Sequence, residues 1–169
     1  GGGPVFPNLI RDLVRAAPRA AIHAVYGSTE AEPIAHLTHT DISHGDWASM
    51  AEGRGLLAGH PTPEIRVELR DHEVVVSGPH VNQGYLDPAD NASTKIVESG
   101  VVTHRTGDAA QRDGTGRTWL LGRREAARDG LFPFAVETAA LSWPGVRQAA
   151  LLADQQGARL AIAGASLDM

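Results

Sequence analysis

The sequence predicts an α/β fold whose centre is a curled antiparallel sheet or small β-barrel, and three observations predict it. Leu9, Ile10, Leu13 and Val14 recur at helical spacing, and the apolar run Ala21-Ile22-His23-Ala24-Val25 that follows reads as a buried strand. Ile65, Val67 and Leu69 then alternate with Arg66, Glu68 and Arg70, a strand pattern closed by an Asp71-His72 turn and answered by Val74-Val75-Val76. Finally, Arg123-Arg124-Glu125-Ala126-Ala127-Arg128-Asp129-Gly130 is a charged break between two apolar regions and reads as a linker or hinge.

Taken in order, residues 5–17 form a helix that Pro18 stops, and the next strand ends at Tyr26. Loop, helix and strand are the tail of an α/β layered unit over residues 1–37, where ligands bind beyond the C-terminal strand ends. Thr38 begins a polar connector to Pro63 that carries His39, His44 and His60, with His36 just before it. These histidine spacings form no two-plus-two pattern on one helix, so they read as solvated loop residues rather than metal ligands. Asp87-Pro88 opens a short helix over residues 89–97. Val101-Val102 and Asp108-Ala109-Ala110 read as strands, and Asp113-Gly114-Thr115-Gly116 turns the chain into Thr118-Trp119-Leu120-Leu121. Residues 38–122 therefore make up the β unit with its connector, and residues 123–130 the hinge. In residues 131–169, a helix over 134–143 stops at Pro144-Gly145, and two strands, 146–153 and 159–163, join at Gln155-Gln156-Gly157.

Composition excludes several classes. A chain of 169 residues suffices for one good core or two small units. A net charge of -5 argues against general affinity for nucleic acid. No apolar run reaches the roughly 20 residues that span a bilayer, and no secretory leader is visible. The absence of cysteine excludes disulfides and thiolate metal sites and fits a cytoplasmic protein. Lys95 is the only lysine, so any chemistry that needs one has a single candidate. The Gly1-Gly2-Gly3-Pro4 start lacks Met, which leads to the expectation of a piece of a longer protein.

The chemistry concentrates in three clusters. Tyr26-Gly27-Ser28-Thr29-Glu30 brings an aromatic ring, a glycine bend, two hydroxyls and a carboxylate to one strand end: a ring for a base, hydroxyls for a phosphate, a carboxylate for magnesium. The same residues also suit an ordinary strand-to-helix turn with a capping hydroxyl. In His104-Arg105-Thr106-Gly107-Asp108, glycine permits close approach of backbone to ligand, and the carboxylate can accept from vicinal ribose hydroxyls. Gly122-Arg123 places a guanidinium where the β unit meets the hinge, suited to phosphate or ribose.

The order of these motifs is more specific than any one of them. Gly-Gly-Gly-Pro, Tyr-Gly-Ser-Thr-Glu-Ala, Val-Ser-Gly-Pro-His-Val-Asn-Gln-Gly-Tyr (76–85), His-Arg-Thr-Gly-Asp and Asp-Gly-Thr-Gly-Arg-Thr-Trp-Leu-Leu-Gly-Arg (113–123) together resemble the adenylate-forming superfamily of acyl-CoA synthetases, luciferases and adenylation domains. The resemblance covers nearly the whole chain. It implies the second half of the large domain with its distorted β-barrel, then a hinge and the start of a small α+β C-terminal domain. It also implies ATP or AMP and Mg2+ as cofactors and a carboxylic acid, fatty or β-hydroxy, as substrate. Gly2 and Gly3 match backbone lining the adenine and acyl pocket, Tyr26 with Gly27 and Ser28 the adenine side, and Thr29 the hydroxyl on the adenylate phosphate. Glu30 matches the magnesium carboxylate, Asp108 the ribose-binding aspartate and Arg123 the arginine near the hinge. Glu125 stands where the family keeps a hinge Asp or Lys, which is a departure.

The implied chemistry is attack of a carboxylate on the α-phosphorus of ATP with release of pyrophosphate. The shortened segments around 64–79 and 123–137, and the run 26–35, look like the olefin-pathway β-lactone synthetases; an acyl-CoA or fatty acyl-AMP ligase is the alternative. The phosphate loop ending in lysine is expected upstream of Gly1 and the C-terminal catalytic lysine downstream of Met169, so the missing N-terminal part of the enzyme is an expected partner and the chain alone is expected to be inactive. A non-catalytic nucleotide-binding remnant and a barrel module for protein contacts remain as other classes.

Overall fold

The structure is a computed structural model that describes residues 3–154 and 157–164. Helix α1 (Pro7–Ala16) begins on Pro7, whose missing N–H costs nothing in a first turn, and ends before Pro18 with the Ala17 N–H bonded to Leu13 O. Its inward face places Ile10, with Val14 beside it, against Leu37, Ile42, Met50, Leu57 and Trp119.

Strand β1 (His23–Ser28) does not lead into a layered crossover. It folds straight back as an antiparallel hairpin onto β2 (Ala31–Thr38), with Ser28 paired to Ala31, so that Thr29 and Glu30 form a two-residue loop. The ordinary strand-to-helix reading of this turn is thereby corrected. The reason lies downstream: Ala31, Ile34, Ala35 and Leu37 are all buried, and a strand is what places them there. The expected connector over 38–63 is also corrected. A 3-10 turn (His39–Asp41) leads into α2 (His44–Ala51), started by a reciprocal Ser43–Asp46 capping box. Then β3 (Leu56–Pro61) buries Leu56, Leu57 and Ala58 in the middle of the sheet.

Strands β4 (Arg66–Arg70) and β5 (Glu73–Ser77) make the expected hairpin, and Asp71 and His72 both take positive φ (49° and 65°), as a type I′ turn requires. The helix expected over 89–97 shrinks to a 3-10 turn (Pro88–Asp90) and a single turn α3 (Asn91–Thr94). Ile96 and Val97 are β-branched and join β6 (Lys95–Glu98), which pairs with β7 (Val101–Arg112). The two strands expected near 101 and 108 are one strand with a register shift at Ala109/Ala110, and it returns through residues 113–117 as β8 (Thr118–Arg123).

Every pairing is antiparallel. The strand order is β1-β2-β3-β8-β7-β5-β4, with β6 alongside β7. Among the described residues no ladder joins β4 back to β1, so the sheet is open and curled rather than a closed barrel. One face packs Ile34, Val67, Val74, Val76, Val81, Ala110 and Leu120 into the main core. Helix α4 (Pro133–Ala140) lies on β8, and Gly122 allows the approach, since a Cβ there would stand 3.2 Å from Pro133. Strands β9 (Val146–Asp154) and β10 (Gly157–Gly164) form a separate hairpin; Gln155 and Gln156 of the expected turn lie outside the described residues.

Arg117 ties α2 to the β7–β8 hairpin. Its two terminal nitrogens donate to Asp46 at 2.9 and 2.8 Å, and its Nε donates to Asp113 at 2.9 Å, where the Trp119 indole N–H also donates at 3.0 Å. The Arg117 hydrogen bonds hold the Asp46 carboxyl down from 3.8 to about 2. Stability from a depressed carboxylate is complete above the ordinary value and disappears as pH falls through the lowered one. Asp46→Asn is expected to lower stability at neutral pH by about 2 kcal/mol, and the loss should shrink between pH 4 and pH 2, measured by urea denaturation across pH.

Candidate functional site

The β1–β2 hairpin carries both ends of the site. Gly27 sits at the irregularity between Tyr26 and Ser28, and a Cβ there would meet Ala31 O at 2.9 Å; the tight return of the chain depends on its being glycine. Tyr26 leans across to β7 and its hydroxyl donates to Asp108 Oδ2 at 2.9 Å. Across the β7–β8 ladder Asp108 pairs with Arg123, whose Nη1 lies 3.4 Å from Asp108 Oδ1 and donates to Thr106 O at 2.7 Å. Tyr26, Asp108 and Arg123, from three distant parts of the sequence, therefore meet in one cluster.

Electrostatics follow from this packing. Burial pushes the Tyr26 phenol well above its ordinary value, and the Asp108 carboxylate beside it adds to the shift. Burial also raises the Asp108 carboxyl, against the lowering effect of the Tyr26 hydrogen bond and Arg123. A carboxylate has about four lone-pair positions, so with these two partners Asp108 can still accept from a diol. Arg123 is 62% exposed in its side chain, so its guanidinium faces solvent beside these contacts.

The strand segment that presents Asp108 is held from behind. Glu73, at the start of β5 and buried, accepts from Arg105 Nε and Nη2 at 3.0 and 2.7 Å, from Arg124 Nη1 at 2.9 Å and from the Gly107 N–H at 3.3 Å. Burial works against its charge, but Arg105 and then Arg124 outweigh it and lower the carboxyl. Gly107 takes φ +73°, a left-handed turn of the strand that glycine allows. Thr106 Oγ1 donates to Val74 O at 2.9 Å and accepts from the Asp108 N–H at 3.1 Å.

Thr29 and Glu30 stand at the hairpin tip. Thr29 is exposed, and Glu30 Oε1 accepts from the Tyr85 hydroxyl at 2.8 Å. Burial opposes the Glu30 charge, but the Tyr85 hydrogen bond and the nearby Ser28 hydroxyl prevail, so the carboxyl lies below its ordinary value. The Ser28 hydroxyl oxygen is itself buried without a hydrogen bond of normal geometry. An ionised carboxylate with hydroxyls beside it fits magnesium, which takes hard oxygen donors and is held by one or two carboxylates plus substrate phosphates. Among the described residues no three His, Asp or Glu side chains gather as a metal-holding group, so Glu30 would act as a single protein carboxylate.

Three expected residues fall outside this picture. Gly2 is outside the described residues, and Gly3 is exposed with open space around it. Glu125 is an exposed residue of the 3-10 turn (Arg124–Ala126) after β8. Tyr85, Glu73, Arg105 and Arg124 support the site and were not singled out by the sequence, although Tyr85 ends the 76–85 motif.

This fold is that of the adenylate-forming enzymes. The amide bond synthetase McbA of Marinactinospora thermotolerans matches with a TM-score of 0.76 and 26% identity, over 100% of this chain and 36% of that one. The o-succinylbenzoate CoA synthetase of Bacillus subtilis, in complex with an acyl-adenylate intermediate, matches with a TM-score of 0.65 and 25% identity, over 98% of this chain and 36% of that one. Among curated proteins, the 2-succinylbenzoate–CoA ligase of Arabidopsis thaliana is 25% identical over 172 aligned positions, 90% of this chain and 31% of the relative. The chain is thus a relative of the adenylate-forming enzymes, and it spans about a third of the length of the Arabidopsis thaliana and Bacillus cereus 2-succinylbenzoate–CoA ligases it matches (31% and 32%). No family model matches the chain.

The chain has two tyrosines, and both phenols are raised, Tyr26 by burial and Asp108, Tyr85 by burial and Glu30. In Asp108→Asn the negative charge beside Tyr26 is gone. One of the two tyrosines is therefore expected to ionise at lower pH than in the parent, read by absorbance titration near 295 nm, while the other stays in place.

Proposed function

We propose that this chain forms the ribose and phosphate wall of an ATP-dependent enzyme that adenylates a carboxylic acid. The single observation that carries the reading is the meeting of Tyr26, Asp108 and Arg123 within hydrogen-bond and ion-pair distance. Its support from outside is the acyl-adenylate held by a similar structure and the ligase activity in the names of the relatives.

In this reading a substrate carboxylate oxygen attacks the α-phosphorus of ATP, the new C–O–P linkage forms, and the bond to pyrophosphate breaks. Phosphoryl and nucleotidyl transfers of this kind are catalysed mainly by positioning and charge neutralisation. Asp108 accepts from the ribose hydroxyls, Arg123 reaches the ribose from the last residue of β8, and the Tyr26 ring flanks the adenine beside Gly27 and Ser28. The Thr29 hydroxyl donates to the phosphate, and Glu30 holds Mg2+. Magnesium, when bound, supplies positive charge against the phosphate oxygens. Residues 123–130 act as a hinge before the C-terminal unit, so that a second half-reaction can follow the first.

For that second step two readings have separate support. Coenzyme A as acceptor is favoured by the names of the curated relatives. Closure of a β-hydroxy acid to a β-lactone is favoured by the early arrival of Phe132-Pro133 after Arg123 and the short 64–79 hairpin. Tested with the whole enzyme and a β-hydroxy acid, release of lactone without coenzyme A selects the latter. A cytoplasmic location belongs to the same proposal; no helix among the described residues is long and apolar enough to cross a membrane.

The chain is expected to bind a non-hydrolysable acyl-sulfamoyl adenosine in calorimetry, and Asp108→Ala to weaken it about a hundredfold through two lost bonds to a charged acceptor. Affinity should fall on acidification through a midpoint above that of an ordinary aspartate, because burial raises the Asp108 carboxyl and the ribose is held by its ionised form. Equal affinity in the parent and Asp108→Ala would overturn the reading.

A further inference from the structure

The sole lysine of the chain has no part in the reading above, yet it is not a surface charge. Lys95 opens β6, directly across the ladder from His104. Its Nζ donates to Asn82 O at 2.9 Å and to the Asn82 side-chain oxygen, and it stands 5.3 Å from the centroid of the Tyr85 ring. His104 Nδ1 lies 3.3 Å from the ammonium and 3.3 Å from Thr94 O, so the imidazole is hemmed in on the same side.

What gives this cluster a purpose is its other end. Glu30 is fixed by two contacts from the 76–85 motif: the Tyr85 hydroxyl donates to its carboxylate at 2.8 Å, and the Asn82 N–H donates to its carbonyl at 2.8 Å. Both residues that hold Glu30 are the residues that Lys95 holds. One ammonium thus joins the two tethers, one to the side chain and one to the backbone of the same residue. The Tyr85 backbone N–H is bonded in turn to Asn91 Oδ1 at 2.9 Å, which fixes the segment from its far side.

We propose that Lys95 is a positioning residue for the magnesium carboxylate: through Asn82 and Tyr85 it sets the direction in which Glu30 presents its oxygens to a nucleotide-bound Mg2+. The inference rests on the assignment of Glu30 under the proposed function. A neutral side chain of similar length would leave the hairpin and the ribose cluster intact but let Asn82 and Tyr85 relax, and Glu30 with them. Partners that orient a metal-binding carboxylate typically govern metal affinity by about tenfold or more.

The test uses the chain itself, with adenosine 5′-(β,γ-imido)triphosphate as probe, and compares its affinity with and without magnesium in the parent, Lys95→Met and Tyr85→Phe. The gain in affinity on adding magnesium should fall about tenfold in Lys95→Met and also fall in Tyr85→Phe, while magnesium-free affinity in Lys95→Met stays within about twofold of the parent. A magnesium gain equal to the parent's in both variants overturns the inference and leaves the nucleotide reading standing. Equal losses with and without magnesium also overturn it, since they mark a merely structural lysine. A parent chain that binds neither this probe nor the acyl-sulfamoyl adenosine overturns the nucleotide reading, and this inference with it.

Discussion

The site depends on one buried carboxylate. Glu73 gathers Arg105, Arg124 and the Gly107 amide, and these come from the two sides of Asp108 in the sequence. A buried charge is tolerated only when paired and hydrogen-bonded, and here the pairing fixes a glycine-turned strand segment that would otherwise be free to move. Asp108 is one residue beyond that glycine. Its reach toward Tyr26 and Arg123 follows from where Glu73 holds the backbone. Replacing Glu73 would therefore disturb the Tyr26–Asp108–Arg123 cluster without touching it.

The two ends of the site are joined by a short piece of chain. Tyr26 and Glu30 belong to one hairpin whose return is as tight as a glycine allows, so the two are set at a fixed separation by backbone geometry. Each end then leans on a different strand group: Tyr26 on β7 and β8, Glu30 on the 82–85 segment and, through it, on β6. The open, curled sheet serves this purpose, since its edge strand β1 brings Tyr26 to Asp108 on β7, four places along the strand order.

Much of this was legible in the sequence where the signal is local. Asp71-His72 and Asp113-Gly114-Thr115-Gly116 gave their turns correctly, because turn chemistry is written in neighbouring residues. Tyr26, Asp108 and Arg123 could be singled out because each lies in a motif with its own residue pattern, and the structure brings the three together. The misreadings share a cause. Residues 38–63 looked polar because their helix is short and β3 is a run of three apolar residues bounded by glycines, yet the Ser43–Asp46 box was a readable start signal. The helix expected after Pro88 gave way to β6 because pairing with β7 decides where Ile96 and Val97 go. Tyr85 and Lys95 could not be tied to Glu30 from spacing, since their meeting is made by tertiary packing across 55 residues of chain.

Arg123 and Arg124 are consecutive, yet one reaches Thr106 O and Asp108 while the next reaches Glu73. The strand end is thus riveted at two successive residues to two different anchors. The rotation of the C-terminal unit that the proposed function requires would break an ion pair if taken up within β8, and neither of these two if it fell on the backbone beyond Arg124. Under the proposed function the swivel would be placed by where these rivets stop, and Glu125 would be the first residue on the loose side.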